Sequence, residues 1–209
     1  MAEPRTCIDF YLANIISSLI QSRIQEKEIR VASIACGPAV EFLDLINKNI
    51  IPPNVCFTCL DGEKLAINQI KKKIEISQAR GKLLGMRLNL VHQNILTLLR
   101  KGVIPQYLET HDLIYGSGFL DYLSDRTTER LIDYLYGCLK KGGILYLVNV
   151  SAADHHSRVC LDMLGEWQLH HRSSKDLLNL ACRIKSPCIK EIEFEPETKM
   201  NIYLKITKC

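Results

Sequence analysis

The chain has 209 residues, 47% of them hydrophobic and 24% charged, which is enough apolar material for the core of one ordinary domain. No apolar stretch reaches the length of a membrane span, and a net charge of +4 with no RRM, KH or zinc-finger pattern argues against nucleic acid as a partner. Nine cysteines, an odd number scattered without a secretory leader, point to a reducing compartment and hence the cytoplasm.

The first segment, 6–26, carries Ile8, Leu12, Ile15, Ile16 and Leu19 at helical spacing, with Asp9 and Asn14 interrupting it, and reads as an amphipathic helix. Residues 1–28 are set apart as this N-terminal helix and 29–209 as one domain. Within the domain, strands are expected near 29–35, 54–60, 86–91, 112–116 and 143–150. Helices are expected near 39–47, 62–79, 94–100, 125–140, 156–167 and 174–183. The alternation predicts βαβ units. The strands are almost continuously apolar, as in Ile144-Leu145-Tyr146-Leu147-Val148, which suits parallel strands covered on both faces. Ile189–Phe194 and Ile202–Ile206 are joined by Glu195-Pro196-Glu197-Thr198-Lys199, too short for a helix, so the end reads as an antiparallel hairpin. The expected fold is α/β and Rossmann-like, a doubly wound, mostly parallel seven-stranded sheet closed by that hairpin.

Two local patterns carry no chemistry. Lys71-Lys72-Lys73 lies between Ile70 and Ile74 and reads as a solvated helix face. Cys56-Phe57-Thr58-Cys59 sits inside a strand, where its cysteines face opposite ways, and no second ligand pair accompanies it.

The turn after the first strand is the first candidate site. A dinucleotide turn, G-x-G-x-x-G, would need glycine at Ala35, Gly37 and Val40, and only one is present. Ala35-Cys36-Gly37-Pro38-Ala39 instead fits the looser G-x-G-x-G of an S-adenosylmethionine (SAM) turn, with Gly37 the expected strained position. Asp61 ends the second strand, 24 residues beyond Gly37, where an acid can accept both hydroxyls of an adenosine ribose or cap the helix after Gly62. His92-Gln93-Asn94-Ile95 follows the third strand; Asn94 suits either the adenine edge or a helix N-cap. Gly116-Ser117-Gly118 follows the fourth strand, at the end of the sheet where ligands sit in open α/β folds.

In this order the pieces resemble the class I SAM-dependent methyltransferases, from about Arg30 to the hairpin. Ser33 stands where an acid is usual, which weakens an indirect contact to the methionine amino group, and Lys141 where a proline is usual. The runs VASIACGPA, FTCLD, DLIYGSGFLDYLSDR, LYLVNV and EWQLHHRSSKDLLNLA look more closely like the bacterial 3-hydroxypalmitic acid methyl ester synthase-like methyltransferases. Those commonly show a Trp…Tyr-Arg segment where this chain has Trp167…His171-Arg172.

The resemblance implies a SAM-dependent methyltransferase. Ala35, Cys36 and Gly37 would approach the methionine moiety, Asp61 with Gly62 the ribose, Asn94 and Ile95 the adenine, and Gly116 and Ser117 the sulfonium. Tyr122, His155, Arg158 and Arg172 would line the acceptor pocket, the arginines holding a substrate carboxylate. The pairs His155-His156 and His170-His171 lack an acid cluster at ligand spacing, so no metal is expected. The expected acceptor is a small-molecule acid, a fatty or hydroxy-fatty acid converted to its methyl ester. A hydroxyl, amine or protein acceptor, or a non-catalytic SAM-fold binding protein, stays open.

Overall fold

A computed structural model of the chain describes residues 7–82, 85–153, 169–194 and 200–209. Among them, seven strands form one sheet: β1 Ile29–Ile34, β2 Val55–Asp61, β3 Arg87–His92, β4 His111–Gly116, β5 Leu139–Val150, β6 Cys188–Phe194 and β7 Asn201–Lys208. Their order is β3-β2-β1-β4-β5-β7-β6, the expected Rossmann-like sheet ending in an antiparallel pair. The chain divides into two compact units, 1–113 and 114–209.

In the first unit β1 pairs parallel with β2 (Ile29↔Val55) and β2 with β3 (Cys56↔Arg87). Every residue of β2, and all of β1 but Arg30, is buried, which is why both strands read as unbroken apolar runs. Helices α1 Cys7–Ser22, α2 Val40–Asn47, α3 Lys64–Ala79 and α4 Ile95–Lys101 accompany them. Phe42 of α2 stacks on Phe57 of β2 with ring centroids 4.0 Å apart, and α1 packs on α2. Helix α1 stops at Ser22 rather than 26, where the backbone bonds tighten to i→i−3: Arg23 N–H to Ile20 O at 3.2 Å, Ile24 N–H to Gln21 O at 3.4 Å and Glu26 N–H to Arg23 O at 2.9 Å. That stop frees Arg23 to reach Asp112, the second residue of β4, at 2.7 Å. The buried Asp112 carboxylate also accepts the Arg30 N–H at 2.7 Å, so one acid anchors the helix exit and the start of β1.

In the second unit β5 and β7 run antiparallel (Ile144↔Thr207 to Val150↔Asn201), and β6 pairs outside β7. Helix α5 Asp125–Gly137 buries Leu131, Ile132, Leu135 and Tyr136 and is N-capped by Ser124. It ends three residues before the expected boundary, and β5 begins four residues sooner than expected. The Lys208 ammonium lies 5.1 Å from the centre of the Tyr136 ring and donates to the Leu139 carbonyl at 2.8 Å, fixing that junction. Helix α6 Ser174–Leu180 opens with a full capping box, Ser173 and Asp176 bonding each other's backbone, and runs into a short 3₁₀ turn, Ala181–Arg183. The Ser173 bonds hold the Asp176 carboxyl below its ordinary pKa. The helix expected over 156–167 and the 195–199 connection lie outside the described residues. Among the described residues, no helix is long and apolar enough to cross a membrane.

The Asp112 anchor sets a test of the first unit. Asp112→Ala strands the Arg30 N–H and the part-buried Arg23 guanidinium, and is expected to lower the unfolding free energy by about 3 kcal/mol in urea denaturation.

Candidate functional site

The turn that leaves β1 has an alternating backbone. Ala35, Gly37 and Ala39 all lie in the left-handed region, at φ 51, 49 and 48°. The strain expected at Gly37 alone is therefore shared with two alanines, each of which pays roughly 1–2 kcal/mol for that conformation. These are the three positions of the G-x-G-x-G pattern, and only one of them is glycine. Hydrogen bonds hold it in place: Cys36 N–H donates to Leu60 O at 3.2 Å, Ala39 N–H to Cys36 O at 2.9 Å, and Leu43 N–H to Ala39 O at 3.0 Å. The Ala39 methyl is buried, whereas the space beside Gly37 is open.

Asp61 locks the turn. Its Oδ2 accepts the Gly37 N–H at 2.8 Å and its Oδ1 the Glu63 N–H at 2.7 Å. The second bond keeps Glu63 extended and delays α3 to Lys64. Asp61 thus holds both the Glu63 N–H ahead of α3 and the Gly37 N–H of the turn. Gly62 is exposed, and a Cβ there would lie 3.4 Å from the Asn94 side chain. Asn94 caps α4, its Oδ1 accepting the Leu96 N–H at 2.8 Å, while Ile95 is buried beneath. His92 Nε2 is 3.1 Å from Gly62 O.

The Cys36 thiol lies 3.6 Å from Gly37 O and contacts the buried Cys59 thiol. Burial pushes the Cys59 thiol well above its ordinary pKa, and Cys36 and then Glu41 add to the rise. Cys56 and Cys59 are both buried in β2, as the structural reading of the C-x-x-C expects.

In the second unit β4 ends at Gly116; Ser117 is half-buried and Gly118 is left-handed at φ 70°. Behind this turn a polar node closes on Arg172, which forms a parallel bridge with Ser151 just past β5. Its Nε donates to Asp125 at 3.1 Å. Its Nη1 donates to Leu120 O at 3.1 Å and Asn149 Oδ1 at 2.7 Å. Its Nη2 donates to Leu123 O, Asp125 at 3.0 Å and Thr128 Oγ1 at 3.3 Å. Beside it, Asp121 accepts the Val150 N–H at 2.6 Å, and its backbone carbonyl takes the His170 N–H at 2.7 Å. Burial raises the Asp121 carboxyl above its ordinary pKa, against the pull of the Val150 N–H, Arg172 and His171.

Solved structures resemble this arrangement over nearly the whole chain. Magnesium protoporphyrin IX methyltransferase (ChlM) from Synechocystis PCC 6803, with bound S-adenosylhomocysteine, superposes with a TM-score of 0.67 at 10% identity, over 95% of this chain and 83% of that one. An O-methyltransferase family protein from Burkholderia thailandensis gives 0.67 at 13% identity, over 96% of this chain and 56% of that one. The S-adenosylmethionine-dependent methyltransferase SibL gives 0.64 at 16% identity, over 94% and 55%. The chain has the Rossmann-like methyltransferase fold. It spans little more than half the length of the latter two proteins. No protein-family model matches the chain, and no curated protein matches it.

Within that fold the residues named from sequence separate into groups. Ala35, Cys36, Gly37, Asp61, Gly62, Asn94 and Ile95 come together at the ends of β1, β2 and β3. Gly116 and Ser117 stand at the end of β4, and Tyr122 is exposed shortly beyond. His155 and Arg158 lie outside the described residues. Arg172 requires a correction: all three guanidinium nitrogens donate to the protein, so none is left for a substrate carboxylate. It is a buried clamp joining β5, the turn after β4 and the start of α5. The sequence signal for such a role is the density of carbonyls and short polar side chains in Leu120-Asp121-Tyr122-Leu123-Ser124-Asp125, but the partner of that stretch lies some fifty residues away.

Two substitutions test these assignments. Ala35→Gly relieves a left-handed alanine, and after the entropy that glycine adds to the unfolded chain it is expected to raise the unfolding free energy by about 0.5–1 kcal/mol. Arg172→Met leaves buried carbonyls without donors and is expected to cost about 3–5 kcal/mol, visible as a lower thermal midpoint.

Proposed function

We propose that the chain is a SAM-dependent methyltransferase acting on a small molecule, and that its acceptor is the carboxylate of a fatty or hydroxy-fatty acid. The observation that carries the first part is the turn with left-handed residues at 35, 37 and 39 pinned by the Asp61 carboxylate. The donor set suits a nucleoside: a carboxylate has about four lone-pair sites, and the two backbone N–H bonds leave capacity for a ribose diol. The open space beside Gly37 suits close approach of a ligand to the backbone. Neighbouring structures with SAM or S-adenosylhomocysteine bound agree with this.

In this reading Ala35, Cys36 and Gly37 meet the methionine moiety, Asp61 and Gly62 the ribose, Asn94 and Ile95 the adenine, and Gly116 and Ser117 the region of the sulfonium. When bound, SAM would supply an electrophilic methyl carbon for in-line attack by the acceptor oxygen, with S-adenosylhomocysteine as the leaving group. The chain's own residues bind and align. Alignment is worth about 7–11 kcal/mol at best, enough to carry most of such a reaction. The acid acceptor is supported by the resemblance to 3-hydroxypalmitic acid methyl ester synthase-like enzymes. It also fits the chemistry, because a carboxylate is already deprotonated at neutral pH and needs no general base. Tyr122, His155 and Arg158 belong to its pocket. Residues 29–209 make up the catalytic domain, 1–28 the preceding helix, and the scattered thiols suit a cytoplasmic protein.

Calorimetry with SAM, S-adenosylhomocysteine and NAD tests the cofactor. Micromolar binding of the first two and none of NAD is expected, since Ala35 and Val40 replace dinucleotide-turn glycines. Asp61→Ala should weaken SAM binding by about 1.5–3 kcal/mol. Tight NAD binding with no response to SAM reverses the assignment. SAM binding without turnover of any acid, hydroxyl or amine leaves a binding protein.

A further inference from the structure

We infer that Cys36 and Cys59 form a reversible disulfide on exposure to a peroxide, and that this bond pulls the turn after β1 out of its SAM-binding shape; the second half rests on the cofactor reading above. The two thiols belong to different elements. Cys59 lies inside β2, level with Ser33 of β1 on one side and Leu90 of β3 on the other. Cys36 follows β1, and its N–H donates to the carbonyl of Leu60, the residue next to Cys59, at 3.2 Å. Its thiol is in hydrogen-bonding contact with the Cys59 thiol, and neither is in a disulfide. The C-x-x-C of the sequence is therefore not the reactive pair. Cys56 and Cys59 stand three residues apart on a strand and face opposite ways, and the Cys56 sulfur accepts from Asn89 Nδ2 at 3.6 Å.

The two sulfurs are not equivalent. Cys36 is half-buried and within reach of a small oxidant, whereas Cys59 is fully buried. Burial, then Cys36, then Glu41 keep the Cys59 thiol protonated, so Cys59 is not the first to react. Cys36 takes an oxygen atom from hydrogen peroxide, becoming a sulfenic acid and releasing water. The Cys59 sulfur then attacks the Cys36 sulfur. Its proton leaves with the sulfenic hydroxyl as a second water, and the S–S bond forms. Contact between the sulfurs offsets the low thiolate fraction of Cys59 by a high effective concentration. A bond is shorter than a contact, so one sulfur must move. Cys59 is fixed by a strand on either side. Cys36 lies beyond the end of β1, between the left-handed Ala35 and Gly37, where the backbone path is already costly. The turn therefore yields, and the next residue is Gly37, whose N–H is the one that Asp61 holds. In a reducing compartment such a bond is transient, which suits a switch better than a staple.

The test uses the full chain, hydrogen peroxide and dithiothreitol. After oxidation, non-reducing peptide mapping should find the peptides carrying Cys36 and Cys59 joined, two hydrogens lighter than the separate pair. The exposed Cys182 and Cys209 react as well, and mapping keeps their products apart. Calorimetry on the oxidised protein should give a Kd for SAM at least about tenfold higher than on the reduced protein, the worth of one hydrogen bond, and dithiothreitol should restore it. By linkage, saturating SAM should make the pair easier to reduce, by about 30 mV for each tenfold. Cys59→Ala should bind SAM as the reduced wild type does, form no cross-link, and leave a Cys36 sulfenic acid that dimedone traps. Should that variant fail to fold, Cys59→Ser carries the same comparison, and mapping of the wild type needs neither. A lasting sulfenic acid at Cys36 of the wild type, with Cys59 still a thiol, overturns the pair. A cross-link that leaves SAM affinity and the potential unmoved overturns the switch, and the cofactor reading stands. If the reduced protein binds no SAM, the cofactor reading fails and the control of binding with it; mapping then decides the disulfide by itself.

Discussion

The Asp61 carboxylate is the contact on which the first unit turns. Chain leaving β1 must reverse within five residues to start α2, and it does so through three left-handed positions of which two are alanine. That path is costly and needs an external hold. Asp61 supplies it, with one oxygen on the Gly37 N–H and the other on the Glu63 N–H. The same bonds set where α2 and α3 begin. A group that shapes the turn from within the protein is also the group best placed to meet a ligand on it, since each oxygen has one bond made and capacity for another. In the proposed function the structural and binding roles would therefore be coupled, and a substitution at Asp61 would act on both.

The second unit solves a different problem. The chain past β5 must be held against the turn after β4 without a further strand. Arg172 does this by donating to carbonyls and side chains from Leu120 to Thr128 and to Asn149, while Asp121 returns the favour through the Val150 and His170 N–H groups. A guanidinium suits the task because its planar fork can serve several acceptors and never loses its charge. Its ion pair with the exposed Asp125 adds little by itself. The stability lies in the buried carbonyls that would otherwise be unpaired.

Much of the architecture was legible in advance. Strands buried on both faces announce themselves as apolar runs, and Phe57, Tyr146 and Leu204 sit in the sheet where their surroundings in sequence place them. The errors cluster at element ends. Helix α1 is shorter because its bonds tighten to i→i−3 after Ser22, α3 starts late because Asp61 takes the Glu63 N–H, and β5 begins early because Lys208, from the far end of the chain, bonds the Leu139 carbonyl. Each boundary is decided by a hydrogen bond, and two of the three come from residues outside the element. Periodicity reports which face is buried, and it is silent about such partners.

The site divides along the same line. By itself the sequence determined that a tight turn follows the first strand, that an acid ends the second and an amide follows the third, and that small residues end the fourth; residue type and spacing are local properties, written in the order of the chain. Only the tertiary structure decided that Ala35 and Ala39 share the left-handed conformation of Gly37, because φ at an alanine is dictated by what pins the turn and not by the alanine. It alone showed that every guanidinium nitrogen of Arg172 is taken by the protein. Whether a polar group is spent or idle depends on every acceptor within reach, and those acceptors, Leu120, Thr128 and Asn149, are brought to Arg172 by the packing of the sheet and helices rather than by nearness along the chain.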